Sequence, residues 1–439
     1  MQSNVVYNLS FVKEFKGLIN NLKLKKKSAS TKKETGVLDS KEDHDFVTKN
    51  LTITSNDNNY KVLRYDKEAL SIDLIQTFGL FRSLILNKEN NVVSFAPPKS
   101  LHSETFIKKY PEKTDHLVAE EFVEGTMINV FWDPCIGLAG SWEIATRNIV
   151  GANGRFYKSH SNANANTNIT FREMFVECCN SASLEYEELN KKYCYSFVIQ
   201  HPKNRIVVPF LKPELYLVQV CEIVQTDDGT TNVFIENMEN IKSDSIWAST
   251  KVKFPTIYND WEKYSDLIET YASMNTRYNV MGFIVRNKTT NERCKIRNPA
   301  YEEVRQLRGN QPKLQYQYLS LRKAGKVRNF LNYYPEYKKE FSAFRDQVHL
   351  FTNTLFQNYI SCYIKKESPL KEFPDQYKTH MFLIHQRYLN ELKEKNLYVT
   401  NSVVISYVNE MHTSKLMFCL NYNMRRRNVD FIKAEESCQ

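Results

Sequence analysis

Glycine and proline are scarce in this chain, at 12 and 13 of 439 residues. That scarcity excludes a low-complexity or loop-dominated polymer, which depends on both residue types. No apolar run approaches the roughly 20 residues of a membrane-spanning helix, and the polar start lacks a signal-peptide pattern, so a soluble, intracellular chain is expected. The nine cysteines (Cys135, Cys178, Cys179, Cys194, Cys221, Cys294, Cys362, Cys419, Cys438) are odd in number and lack C-x-x-C spacing. They argue against a disulfide frame and for a reducing compartment. The nine histidines form no ligand cluster with them, so no metal-ligating set is expected. An acidic excess is missing too: 60 Lys and Arg against 50 Asp and Glu leave a formal charge of +10. This balance favours an anionic partner, nucleic acid by default, and is also compatible with a solvated surface.

The length suits two or three domains, each with its own core. Val6, Leu9, Val12, Phe15, Ile19 and Leu22 recur at helical spacing and predict an amphipathic helix within residues 1–24, a surface for a protein partner. Lys23, Lys25, Lys26, Lys27, Lys32 and Lys33 follow, and residues 25–48 read as a basic flexible linker. From 49 to 305 the texture is β-rich, with short alternating runs at 83–86, 126–132 and 218–224. Asp228-Gly229 between two such runs signals a hairpin. Residues 162–168 read as an Asn-rich loop, and a helix is expected over 259–274, just before a strand at 280–286. Residues 306–439 read as helical, with stripes Phe341, Phe344, Val348, Phe351, Leu355, Tyr359 and Tyr377, Met381, Ile384, Tyr388, Leu392 expected to form core. Thr400 to Ser402 are expected to cap a further helix. The fold class expected is α+β: an antiparallel-sheet domain followed by an all-α C-terminal domain.

Residues 118–126 run Val-Ala-Glu-Glu-Phe-Val-Glu-Gly-Thr. Ahead of them stand Gly79-Leu-Phe-Arg-Ser-Leu-Ile85 and Val92-Val-Ser-Phe-Ala-Pro-Pro-Lys99; after them come Trp142-Glu-Ile-Ala-Thr-Arg147 and Tyr195 to Val207, which ends Asn-Arg-Ile-Val. Leu215 to Ile223, Val280-Met-Gly-Phe-Ile-Val285 and Cys294-Lys-Ile-Arg-Asn-Pro299 complete the set. In this order the segments resemble the ATP-grasp-like nucleotidyltransferase domain of bacteriophage-type RNA ligases, and more closely the RNA ligase-like proteins of large DNA viruses. In that family the central strand reads Lys-x-Asp/Glu-Gly, and its lysine attacks the α-phosphate of ATP. The resemblance implies ATP and Mg²⁺ as cofactors, RNA or a nucleotide as partner, and the cytoplasm of an infected cell or a virion as the setting. It places Arg82 and Lys99 at phosphate-supporting positions, Arg147 near the ribose, Glu124 and Gly125 in the central motif, and Lys295 and Arg297 in the final Lys-x-Lys.

The departures concentrate on one half of that site. Phe122 stands at the nucleophile position, and a phenyl ring has no lone pair with which to attack phosphorus. Met281 replaces a glutamate, and Ser196 and Val198 occupy the neighbourhood of another, which removes hard-oxygen ligands for Mg²⁺. Arg297 replaces a lysine, and a guanidinium is a poor general acid. The expectation is a degenerate RNA ligase-like protein that binds RNA or a nucleotide without forming a lysyl-adenylate. Two alternatives remain open: an active nucleotidyltransferase whose nucleophile has moved to Lys99 or Lys295, and an interaction or virion-structural protein that keeps only the fold. Arg305, Arg308, Arg322, Lys323, Lys326 and Arg328, with Arg425–Arg427 further on, offer an RNA-binding stretch or a solvated helix face.

Overall fold

The computed structural model describes residues 5–9, 51–56, 59–154, 169–226, 230–311 and 313–424. Contacts divide the chain into two compact units, Met1–Glu303 and Val304–Gln439. Strands of the first unit begin with β1 (Val5–Asn8), β2 (Leu51–Asn56), β3 (Tyr60–Tyr65), β4 (Leu84–Leu86), β5 (Val92–Phe95), β6 (Leu117–Glu121) and β7 (Thr126–Asp133). They continue with β8 (Ser141–Thr146), β9 (Tyr193–Gln200), β10 (Glu214–Gln225), β11 (Thr231–Ile235), β12 (Ile257–Tyr258), β13 (Gly282–Asn287) and β14 (Arg293–Arg297). The paired strands run antiparallel and form a six-stranded sheet in the order β1-β11-β10-β9-β7-β8 and two four-stranded sheets, β12-β6-β13-β14 and β2-β3-β4-β5.

Period-two alternation makes the six-stranded sheet two-faced. Tyr195, Phe197 and Ile199 of β9 bury one face beneath the helix Phe171–Ala182, against Phe175 and Cys178. That helix begins with a capping box, in which Thr170 and Glu173 satisfy each other's backbone amides. On the opposite face, Phe131, Cys194, Cys221 and Val233 pack with Phe81, Leu84, Ile85 and Phe95. The β12-β6-β13-β14 sheet is closed by Phe106, Trp261 and Leu267 packed on Leu117, Phe283 and Val285.

The second unit is helical, with Leu314–Lys323, Val327–Tyr333, Lys338–Tyr359, Asp375–Arg387, Asn401–Glu410 and Thr413–Leu420 as its α-helices. Phe330 stacks on Phe341 at 4.9 Å and on Tyr334 at 4.7 Å, and Val348, Phe351, Leu355 and Tyr359 are buried beyond them. The α+β class and the helical C-terminal region agree with the sequence.

Several expectations change. Residues 5–8 form a strand paired with β11, not the start of an amphipathic helix: Val6 opposes Phe234 and is 46% exposed. An open sheet edge satisfies these backbone groups better than an isolated helical turn. Residues 10–50, which contain the rest of the expected helix and the linker, lie outside the described residues, as do the 162–168 loop, the Asp228-Gly229 turn and Arg425–Arg427. The hairpin flanks do pair, Gln225 opposite Thr231. The helix expected over 259–274 is confined to Tyr264–Tyr271, and the strand expected at 280–286 begins at Gly282. Thr400 is the N-cap of Asn401–Glu410, without a side-chain capping bond. The eight cysteines among the described residues are free.

Candidate functional site

Phe122 lies one residue beyond β6, where the chain leaves its sheet for β7 of the six-stranded sheet. Its N–H approaches the Gly282 carbonyl at 3.4 Å. Two glycines allow this crossing. Gly125 has φ +147°, and a Cβ there would fall on the Ile199 carbonyl oxygen; Gly282 has φ +124°, and its Cβ would fall on the Ile296 carbonyl oxygen. Between them Val123 packs on Val198 and Tyr216, so the side chains around Phe122 are fixed in direction.

Cations gather around the ring. The Lys295 Nζ lies 4.8 Å from the Phe122 centroid and the Arg297 guanidinium 5.6 Å, both within cation–π range. Arg82 is the electrostatic hub: its field reaches Lys99, Arg293 and Lys295, and it feels Arg147 and Arg297 in turn. Burial first, and then Arg293, Arg82, Arg297 and Lys99, hold the Lys295 ammonium well below the usual lysine range. Burial and then Arg82 and Arg297 lower Lys99 as well. Backbone carbonyls hold two members in place, Pro97 accepting from Arg82 at 3.4 Å and Pro98 from Arg293 at 2.8 Å. Arg297 pairs with Glu302 at 3.2 Å, whereas Lys295 forms no ion pair among the described residues. The structure thus brings Arg82, Lys99, Arg147, Lys295 and Arg297 into one field and adds Arg293 and Arg64, which carry no motif signal in the sequence.

Glu124 points elsewhere. It is 5% exposed, and its Oε1 accepts from the backbone N–H of Val207 at 2.8 Å and of Val208 at 3.1 Å, while Oε2 accepts from Val208 at 3.3 Å. Burial pushes its carboxyl up to about 7, against the opposing pull of these amides and of Arg205. Both oxygens anchor the segment after β9. Met281 is half-buried, its carbonyl accepting from the Asn298 N–H at 3.1 Å.

Ser196, at the expected carboxylate neighbourhood, donates to Asn129 Oδ1 at 2.9 Å. Ser196 is in register with Asn129 on β7 and with Gln219 on β10, next to a bulge at Leu217/Gln219 that re-aims the latter. Asn129 Nδ2 and Gln219 Nε2 are buried donors without acceptors among the described residues. By alternation the row shares the face of Val198, which touches Val123 beside Phe122. Such orphaned amides are costly unless a ligand or water accepts from them.

The chemistry of this donor set suits anions. Phosphates fit the clustered guanidinium and ammonium groups. A protein-held Mg²⁺ does not fit: Phe122, Met281 and Val198 offer no hard oxygen, Glu124 is committed to amides, and no group of three potential ligands occurs among the described residues.

A cavity of about 330 Å³ opens beside the cluster, lined by Arg64, Arg82 and Arg147 and by the turn from Tyr65 to Glu68. In the helical unit the expected RNA-binding positions separate. Arg308 is 5% exposed, with its guanidinium over Tyr334 at 5.9 Å and Tyr337 at 5.8 Å. Lys323 donates to the carbonyls of Glu410 and Met411 at 3.3 and 3.5 Å, at the end of the helix Asn401–Glu410. Arg305 and Arg322 are half-buried, and Lys326 and Arg328 are exposed.

No family model matches the chain. A curated protein described as an RNA ligase of Rhodothermus phage RM378 is 25% identical over 208 residues, covering 43% of this chain and 45% of that relative. The chain therefore spans less than half the length of that relative. Among solved structures, an RNA ligase variant from Naegleria gruberi with ATP and Mn overlaps 48% of this chain and 58% of its own at 10% identity and a TM-score of 0.33. A second variant of the same ligase, also with ATP and Mn, overlaps 54% and 68% at 12% identity and the same score. No helix among the described residues is long and apolar enough to cross a membrane. The phage match supports the resemblance to RNA ligase-like nucleotidyltransferases read from the ordered segments.

Proposed function

We propose that this protein is a catalytically degenerate RNA ligase-like protein, which binds a nucleotide or RNA phosphates in its cationic cleft without forming a lysyl-nucleotide. One observation carries the reading: Lys295 and Arg297 cap the ring of Phe122, so the cations are kept where the nucleophile is lost. Arg82, Lys99, Arg147, Arg293, Lys295 and Arg297 would hold the phosphates of ATP or RNA through charge-assisted bonds. The orphaned Asn129 and Gln219 amides suit acceptor atoms on a base. No step is assigned to Mg²⁺, since the site's side chains do not fit it. Labelled ATP should give saturable binding but no covalent band on a denaturing gel. A covalent band abolished by changing one lysine would overturn the proposal.

A second reading is favoured by the lowered Lys295 ammonium over Phe122. There the neutral amine would attack the α-phosphorus and pyrophosphate would leave. It requires a nucleotide adduct on Lys295 after incubation with ATP and Mg²⁺ or Mn²⁺, absent in Lys295→Arg. An unmodified peptide by mass spectrometry in both proteins would eliminate it.

A further inference from the structure

β1 stands at the edge of the six-stranded sheet, contributes four residues and pairs with β11 alone among the described residues. Alternation turns Val6 and Asn8 outward and Tyr7 and Leu9 inward. Leu9 is buried in the core, and its N–H donates to the Thr231 carbonyl at 2.7 Å. Tyr7 reaches beyond its own sheet at two points. Its ring lies 5.5 Å from that of Phe95, and its hydroxyl is hydrogen-bonded to the Asn291 side chain, in the field of Arg293. Both contacts lead into the cationic cleft. Phe95 ends β5, and the residues after it include Pro97 and Pro98, whose carbonyls accept from Arg82 and Arg293, and then Lys99, itself one of the cations. Asn291 is buried in the turn before β14, the strand that carries Arg293, Lys295 and Arg297. The other side of that turn is tied by Glu292, which accepts from Lys109 at 2.8 Å and from Tyr110 at 2.6 Å. Tyr7 thus ties together two segments that supply the cations. Burial raises its hydroxyl, so it stays neutral beside Arg293 and holds the segments without cancelling the charge.

We propose that the N-terminal strand is a removable brace of the cationic cleft, with Tyr7 as a positioning residue that holds segment 97–99 and the root of β14 against each other. The inference rests on the anion-binding reading above and adds the element that sets the affinity of the cleft. Arg82, Lys99, Arg293 and Lys295 repel one another, so each tie that keeps their segments together improves their convergence on one anion. Without Tyr7, segment 97–99 and β14 can relax that repulsion by moving apart. A short edge strand with one neighbour opens at a lower free energy than the interior of its sheet. Residues 10–50 separate Leu9 from β2, so the chain is long enough for β1 to leave while β2 stays paired. The β11 edge exposed in this way can take the same strand back, which makes the brace reversible.

Calorimetric titration of the full chain with tripolyphosphate and with ATP tests it, alongside urea denaturation. Tyr7→Phe keeps the ring on Phe95 and deletes the hydroxyl, and should weaken binding of both anions by about threefold. Tyr7→Ala deletes both ties and should weaken binding by about tenfold. A chain lacking residues 1–9 should show the same loss as Tyr7→Ala. A synthetic peptide of residues 1–9 should then restore the affinity, whereas the same peptide carrying Tyr7→Ala should not. A strand with a merely structural role behaves differently: the urea midpoint and the binding-competent fraction fall, while the Kd of the remaining folded protein stays at the parent value. That outcome in Tyr7→Ala overturns the inference and leaves anion binding by the cleft intact. A peptide that restores the urea midpoint without the affinity overturns it as well. Where the truncated chain fails to fold, the two full-length variants decide by the same criterion. Absence of binding of both anions by the parent protein overturns this inference together with the reading on which it rests.

Discussion

In the sheet-built unit, Arg82, Lys99, Arg147, Arg293 and Lys295 sit in one another's fields, and of the cluster only Arg297 has a carboxylate partner among the described residues. In the helical unit, Arg308 lies on two tyrosines, Lys323 closes a helix end, and Arg387 bridges Glu391 and Glu410 at 3.1 Å each. Both regions are basic in the sequence. The first keeps its repulsion unrelieved, which costs stability and is retained where an anion completes the site. The second uses much of its charge on its own packing. Charge that is left uncompensated, not charge itself, distinguishes a candidate binding surface from a solvated or structural one.

The sharpest way to break this contrast is to remove the hub. Arg82→Ala should weaken ATP or RNA binding by about 10- to 100-fold in equilibrium titrations, since it borders both the Phe122 cluster and the cavity. Affinity of the intact protein should also fall steeply with salt, as phosphate neutralisation requires, and Arg82→Ala should flatten that slope by about one unit. An unchanged affinity would move the binding surface out of the sheet-built unit.

Placing a lysine at position 122 gives the next largest effect. Phe122→Lys should not restore adenylylation, because Met281 and Ser196 still supply no metal-binding carboxylate. Adding a cation beside Lys295 and Arg297 should destabilise the fold by on the order of 1–3 kcal/mol in urea denaturation. A covalent lysyl-nucleotide in this variant would show that only the nucleophile had been lost.

Proton linkage separates the two acids and bases of the site. Lys295 is depressed as a free group, and an anion favours its charged form, so polyphosphate binding should take up protons and weaken as pH rises through the depressed Lys295 range. Calorimetry in buffers of different ionisation enthalpy reads that uptake. Glu124 has the opposite relation: its carboxyl is raised from 4.5 to about 7 on folding, so the native state holds the extra proton between these values. Its contribution to stability is fullest below the lower value and is lost as pH rises through the upper one. Glu124→Gln keeps one acceptor for Val207 and Val208. Relative to the parent, its urea midpoint should therefore gain as pH rises from 4.5 to about 7.

The smallest effect belongs to the helical unit. Alanine at Arg322, Lys326 and Arg328 together should change RNA affinity by no more than about threefold, as for ordinary solvated charges. A loss comparable to that of Arg82→Ala would erase the contrast and place an RNA surface on those helices.

Much of the fold was legible because it rests on periodicity. The alternating strands, the flanks of the β10–β11 hairpin and the buried stripe from Phe341 to Tyr359 all follow from which side chains avoid water. Val5–Asn8 carries the three-to-four-residue apolar spacing of a helix, yet the demand of an open sheet edge, which no local pattern reveals, makes it a strand. Arg64 and Arg293 are illegible in sequence for a related reason: each is one basic residue on a strand, and its meaning depends on partners far away in sequence. The same holds for Asn129 and Gln219, whose orphaned amides exist only because β7, β9 and β10 bring them into one row.

By itself the sequence determined that Phe122, not lysine, stands two positions before Glu124, and that cations recur in order around it. Those facts need only residue identity and spacing. Tertiary structure alone decided that Lys295 and Arg297 close over that ring, that Glu124 is committed to Val207 and Val208, and that Arg64 joins Arg82 and Arg147 at one cavity. Burial, Coulomb interaction and hydrogen bonding depend on distance in space, and the sheets set that distance by joining strands from opposite ends of the domain.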